Sequence, residues 1–425
     1  MMRLWHLLQR YRRYRKQALW IVPFTAIILE QIVYRLLHVL DDWLGWQLQR
    51  FSAAGAQALL EAITTMTLSF IVFTFGSLLV AIQVAGGQLT PRIIATTLLR
   101  DNVVRYTVGL FVFSLLFAIS ALNRIRGTGD QLVLVVAGLL GLLSIAAFLY
   151  LIDYAARLLR PVSILSRVGE DGLAVIEAVY PQPIQGPSLP HVTPQTAGTP
   201  SRIVYHSGRS EVILSVNIGM LLEESQKANA VVGLIPVVGD FVAKDEPLFA
   251  LYGNVSGIDE NVLASSVNFG IERTLEQDPT FAIRIILDIA LKALSPAIND
   301  PTTAVLAIDQ LHRLLRSVGK RNLRTDNTTD ESGKLRVIIR TPNWEDFVNL
   351  ACTELRRYGA DSIQVVRRLR AMIENLIRTL PEDRHAALQA QLALLDHAIK
   401  AIYIIPEELV LARATDSQGL GGTPI

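Results

Sequence analysis

Three runs of about twenty apolar residues, Ala62–Ala85, Tyr106–Leu122 and Leu132–Ile152, narrow the possible folds of this chain more than any other feature. A bilayer core offers the backbone no water, so runs of this length are stable there only as helices that satisfy their own peptide groups. A fourth run, Ala18 to about Leu40, is interrupted by Pro23, Glu30 and Arg35. The nearest small-residue cleavage pattern, Ala54-Gly55-Ala56, lies too far beyond the Ala18–Leu29 apolar core for a secretory leader. The run is therefore expected to stay as an anchor, making four membrane helices.

Charge orients them. Arg3, Arg10, Arg12, Arg13, Arg15 and Lys16 form a basic arm over residues 1–16, and Arg92, Arg100, Arg105, Arg157, Arg160 and Arg167 fall on the same side of the predicted spans. Arg50, Arg124 and Arg126 fall on the other. The positive-inside rule then puts both termini in the cytoplasm of an inner (plasma) membrane protein, with residues 123–130 outside and 155–425 inside. At 51% hydrophobic and 18% charged, the chain is too apolar for a soluble protein and too charged for a purely membranous one. A net charge of +2 leaves no nucleic-acid footprint, and the single cysteine, Cys352, excludes an intrachain disulfide or a multi-cysteine metal site.

After the membrane domain (17–160), a juxtamembrane helix and a proline-rich linker, YPQPIQGPSLPHVTPQTAGTP from Tyr180, fill 161–201. Residues 202–256 turn to short β-branched runs and read as a small β-domain. Their closing phrase GDFVAKDEPLFALYG resembles the second half of biotinyl- and lipoyl-like barrels, which implies a barrel-like shape. The Met-flanked carrier hairpin of those barrels is missing, so Lys244 is expected to be a surface turn lysine and no cofactor is expected. Residues 257–320 are helical. Residues 321–412 hold one strand, Leu335–Arg340, and further helices, and 413–425 are expected to be a disordered tail. In that part Asn343 is the expected cap of a helix that stops at Gly359 in a left-handed cap; Asp361 caps the next, and Pro381 opens another. The expected fold is thus an α-helical membrane domain joined to an α+β cytoplasmic domain with a barrel-like part and a helical C-terminal part.

The helical part centres on Asn268–Leu311, where Asp278-Pro279 and Asp300-Pro301 each precede an apolar run. Asp at the cap and Pro at the first helical position start a helix each time. Phe281, Ile285, Ile289 and Ala293 mark one face of the first, Arg284, Asp288 and Lys292 the other, and Ser295-Pro296 ends it. The run ERTxxQDPxFAIRxxLDIAxxALSPAINDPTTA resembles the signature of the bacterial membrane-protein family known as domain of unknown function 2254. That resemblance covers most of the chain. It implies a membrane-anchored architecture and no particular activity.

Three polar sets are candidates for function. Arg273, Thr274, Gln277, Asp278, Arg284, Asp288, Asn299, Asp300, Thr302 and Thr303 surround the signature hairpin. They are either caps, i,i+4 ion pairs and turn residues, or a ligand pocket in which an arginine and helix N-termini meet an anion. In the second expected span Thr67, Thr74, Ser77 and Gln88 share a face of small and hydroxyl side chains, which either packs against another helix or lines a water-filled path between copies of the chain. Glu30 is the acid inside an apolar span: either a carboxyl in an ion path or a group at the wet end of a tilted helix. The histidines, His6, His38, His191, His206, His312, His385 and His397, show no metal spacing, and no nucleophile elbow or phosphate loop is present, so an enzyme is not expected. The chain is expected to self-associate, and the favoured function is an oligomeric pore or transport-related assembly with a cytoplasmic regulatory domain; the alternative is a membrane-anchored binding or scaffold/sensor module without conduction.

Overall fold

The structure is a computed structural model that describes residues 26, 28–33, 35–36, 52–88, 102–123, 131–158, 160–184, 198–323 and 327–422. The chain divides into two compact units, Met1–Ile164 and Leu165–Ile425.

In the first unit α1 (Ala53–Gln88), α2 (Asn102–Leu122) and α3 (Gln131–Leu158) are long and apolar enough to cross a membrane. Of the expected first span, residues 26, 28–33 and 35–36 are helical and the rest lies outside the described residues, so three spans stand among the described residues instead of four. Ala56, Leu60 and Ile63 of α1 pack with Phe117, Ala118 and Ala121 of α2 and with Val133, Leu134 and Ala137 of α3. Gly141 lets α3 pass close to α1, since a Cβ there would lie 3.1 Å from Ile63 Cγ1. A second cluster gathers Val104, Val108, Phe111 and Leu151 around Phe70 and Phe148, whose rings stack at 4.0 Å. Leu68, Val72, Phe73, Leu79, Leu139 and Leu142 remain exposed, which suits helices whose outer solvent is lipid tails.

In chain order α4 (Pro161–Val179) leads into the second unit, which holds β1 (Arg202–Tyr205), β2 (Glu211–Val216), α5 (Ile218–Ala228), β3 (Ala230–Leu234), β4 (Phe241–Val242), β5 (Pro247–Gly253), α6 (Glu260–Ser266) and β6 (Val267–Gly270). It continues through α7 (Pro279–Ala293), α8 (Pro301–Gly319), β7 (Asn327–Thr329), β8 (Leu335–Ile339), α9 (Trp344–Gly359), α10 (Ile363–Thr379), α11 (His385–Ile402) and α12 (Pro406–Arg413). One sheet has the order β1-β5-β3-β8-β7 and the other β4-β2-β6. In the larger, β3 runs antiparallel to β5, with Ala230 opposite Gly253, and parallel to β8, with Val232 opposite Val337.

Both sheets are open, so no barrel closes among the described residues. The neighbour that β3 takes on its far side is β8, from beyond the hairpin, and the eleven-residue α5 occupies the connection between β2 and β3. That helix has ordinary end signals: the Asn217 side chain accepts from Met220 N at 3.2 Å, and Asn229 stops it at φ 51°. Lys244 sits exposed in the turn before β5.

The helical layer centres on α7, whose Phe281, Ile285, Ile289 and Ala293 are buried as the spacing requires, together with Ala282, Ile283, Ile286 and Leu287. α4 lies close to α7 and α8 because Gly172 has no side chain: a Cβ there would meet Ala282 Cβ at 2.8 Å and Leu314 Cδ2 at 3.1 Å. Asn343 caps α9 in a full capping box with Asp346. The end of α9 differs from expectation. Gly359 is not left-handed, and Ala360 caps with φ −64°. A Cβ on Gly359 would stand 2.6 Å from Val365 Cγ1 and 3.3 Å from Leu294 Cδ1, so the glycine is there for close packing. Ser362, not Asp361, caps α10, accepting from Val365 N. The expected disordered tail is ordered through residue 422, because the Asp416 carboxylate collects the main-chain N–H groups of Gln418, Gly419 and Gly421.

Candidate functional site

The signature loop 271–278 leaves β6 and ends at the first turn of α7, and its side chains stitch it to the smaller sheet. Gln277 behaves like the next residue of a strand: its Oε1 accepts from Val216 N at 2.9 Å and its Nε2 donates to Val216 O at 3.4 Å. At the other end of the sheet Gly239 N donates to Ile213 O, and Arg273 Nε donates to Gly239 O at 2.7 Å. Asp278 closes the arrangement. Its Oδ1 accepts from Phe281 N at 3.1 Å and Thr280 Oγ1 at 2.5 Å, which caps α7.

Asp278 Oδ2 has no hydrogen bond and lies against Gly239, where a Cβ would stand 2.5 Å from Oδ2 and 3.3 Å from Arg273 Cζ. Gly239 is therefore required twice, for its φ of 96° and for the space. Burial pushes the Asp278 carboxyl above its usual range, opposed by the Thr280 hydroxyl, the Arg273 charge and the Phe281 N–H. Thr274 Oγ1 is also buried without a hydrogen bond. The corner thus combines a half-compensated buried acid with an exposed arginine fixed at one nitrogen, an arrangement that can orient charge.

The rest of the polar set lies elsewhere. α7 has fifteen residues, so its two ends are roughly 20 Å apart at 1.5 Å per residue. Asn299, Asp300, Thr302 and Thr303 sit at the far end. There Asp300 Oδ1 accepts from Thr303 N at 3.0 Å and Oδ2 from Thr303 Oγ1 at 2.5 Å, while Asn299 makes the turn at φ 49° and Thr302 is exposed. Arg284 lies between the ends and is neutralised: it pairs with Asp288 at 2.6 Å and grips Glu354 of α9 with both η nitrogens, at 2.5 and 3.4 Å. The structure brings Arg273, Thr274, Gln277 and Asp278 together and leaves the others as caps, a turn and an ion-pair cluster. Gly239, Val216, Thr280 and Glu354 complete these contacts; only Thr280 lay within the signature run.

In the first unit Thr67 is fully buried and donates to Ile63 O, and Thr74, 4% exposed, donates to Phe70 O, both at 2.7 Å. Ser77 is exposed and donates to Thr74 O at 3.0 Å. The Gln88 side chain lies outside the described residues. Glu30 is buried while Ile28, Leu29, Ile32 and Leu36 around it are exposed; Gln31 Nε2 donates to its Oε2 at 2.7 Å, and Oε1 has no hydrogen bond. Among the described residues no three His, Cys, Asp or Glu side chains are grouped to hold a metal.

Residues 16–375 match the family described as "Predicted membrane protein (DUF2254)". Uncharacterised proteins of Mycobacterium bovis and Mycobacterium tuberculosis are each 24% identical over 433 residues, covering 96% of this chain and 82% of the relative. No solved structure matches the chain significantly.

Proposed function

The chain belongs to that predicted membrane-protein family, and from this premise we propose that it is a membrane-anchored binding module that does not conduct. The apolar helices hold it in a bacterial inner membrane, and residues 165–422 carry recognition on the cytoplasmic side. One observation supports this over a pore. Thr67 and Thr74, the hydroxyl groups that a water path would need, are buried within a single chain and spend their protons on carbonyls of their own helix. Outward on α1 stand Leu68, Val72, Phe73 and Leu79, which a bilayer accepts, and the exposed Ser69 and Ser77 beside them likewise donate to carbonyls of their own helix.

Single cysteines at Thr67, Thr74, Ser77 and Phe73, treated with a charged thiol reagent, test the reading alongside ion flux in reconstituted liposomes. Cys352 supplies no background, since burial pushes its thiol up to about 12. The binding module predicts no labelling at positions 67 and 74 and no flux. Labelling at both, with flux that changes on labelling, would establish the pore instead.

A further inference from the structure

α10 carries Arg367, Arg368 and Arg370, all buried. Carboxylates answer two of them: Arg368 Nε donates to Asp309 Oδ1 at 2.7 Å, and Arg370 donates to Asp396 and, at 3.4 Å, to Glu374. Arg367 differs. Its side chain is 1% exposed, and its guanidinium donates to main-chain carbonyls of the C-terminal segment, Ala414 O at 3.2 Å and Gly422 O. A buried guanidinium is costly unless its donors are filled, so residues 414–422 fill a need that α10 creates.

The segment fits the groove between α8 and α10 through its glycines. A Cβ on Gly419 would stand 2.5 Å from Val305 Cγ1 and 3.4 Å from Arg368 Cδ, and Gln364 Nε2 donates to Gly419 O at 2.7 Å. Gly419 and Gly421 take φ of 71° and 75°, which turns their N–H groups onto the Asp416 carboxylate at 2.8 and 2.7 Å. Gln418 N adds a third bond to it at 3.0 Å. Apolar burial contributes little, since the large apolar side chain of the segment, Leu420, is 75% exposed. A segment held by a few hydrogen bonds and by shape, without buried apolar surface, belongs to the part of a fold that opens first.

We propose that residues 414–422 are a detachable strap, and that the groove of Val305, Gln364, Arg367 and Arg368 is a peptide-binding site for an aspartate followed by glycines in left-handed turns. The strap fills the groove in cis and excludes the same chemistry offered in trans. This deepens the binding-module reading by naming its surface and its class of partner.

The test uses the whole chain in detergent, truncated after Arg413, and a fluorescent peptide ATDSQGLGG that reproduces residues 414–422. Anisotropy should show saturable one-to-one binding to the truncated chain and at least tenfold weaker binding to the intact one. Arg367→Gln in the truncated chain, or Gly419→Ala in the peptide, should each weaken binding at least tenfold. A truncated chain that keeps its thermal transition and binds no peptide overturns the proposal. If truncation prevents folding, the intact chain with Gly419→Ala decides: release of the strap predicts at least tenfold faster tryptic cleavage after Arg413, and cleavage at the wild-type rate refutes it. None of these readouts depends on flux, so failure here and failure of the binding-module reading are distinguishable.

Discussion

Asp278 and Asp300 occupy the same sequence context and cap their helices in the same way, yet their surroundings separate them. Asp300 is half-buried with both oxygens bonded, so its contribution is that of a cap. Asp300→Ala should lower stability by about 1 kcal/mol and Asp300→Asn by much less, measured as denaturation of the detergent-solubilised chain. An equal loss from both would mean that the charge matters beyond the cap. His312 makes a pH-dependent contribution. Its Nε2 faces Asn375 Oδ1 at 3.0 Å and its Nδ1 lies 3.3 Å from Arg368 Nη2. Burial lowers its pKa, the Arg368 and Arg316 charges add to that, and Asn375 and Asp309 oppose it. A histidine whose folded pKa lies below its unfolded value of 6.5 gives stability that is present above that value and is lost as pH falls from it through the folded pKa. The wild-type chain should therefore lose more thermal stability than His312→Gln between roughly pH 7 and pH 5, the range in which an ordinary histidine titrates. Parallel curves for the two would remove His312 from the account.

At the scale of elements, three helix starts were legible because their signals are local. Asp-Pro before an apolar run at 278 and 300, and Asn343 three residues before Asp346, need only a turn of chain to act. Helix ends and short elements were less so. Gly359 follows a helix where a left-handed cap is common, but its missing side chain serves Val365 and Leu294, which belong to neighbouring elements. Gly359→Ala gains about 1 kcal/mol of helix propensity and loses about 1–3 kcal/mol to overpacking, so a net loss of stability is expected on thermal melting. A gain would refute the close-packing role, and a left-handed cap with it, since Ala is strained there too. α5 and β6 escaped notice for a different reason. Met220, Leu221 and Leu222 suit helix and strand alike, and the Asn217 cap together with the fit of Leu221 against the sheet core selects the helix.

The scale of the whole molecule is set by the membrane, and topology is its most direct prediction. Reporter fusions between residues 124 and 130 and after Ile425 should report the outside and the cytoplasm respectively; a periplasm-only reporter active at the C-terminus would reverse the orientation. Within the second unit the pairing of Val232 with Val337 puts β8 in one sheet with β1, β3 and β5, so the β-rich segment is not separate from the helices that follow. The candidate corner has the same character: Arg273 and Asp278 were visible in the signature, but Gly239, on which both converge, comes from the turn before β4. The strap is the clearest case. Asp416 followed by Gly419, Gly421 and Gly422 looks like loose polar chain until the carbonyls it presents meet Arg367. The sequence by itself determined the apolar spans, the double Asp-Pro helices and the buried face of α7, because hydrophobic length, capping and periodicity act between near neighbours. Only the tertiary structure decided the open sheets, the Gly239 corner, the role of Gly359 and the ordered tail, because each depends on groups far apart in the chain whose burial or hydrogen bonding exists only once the elements have packed.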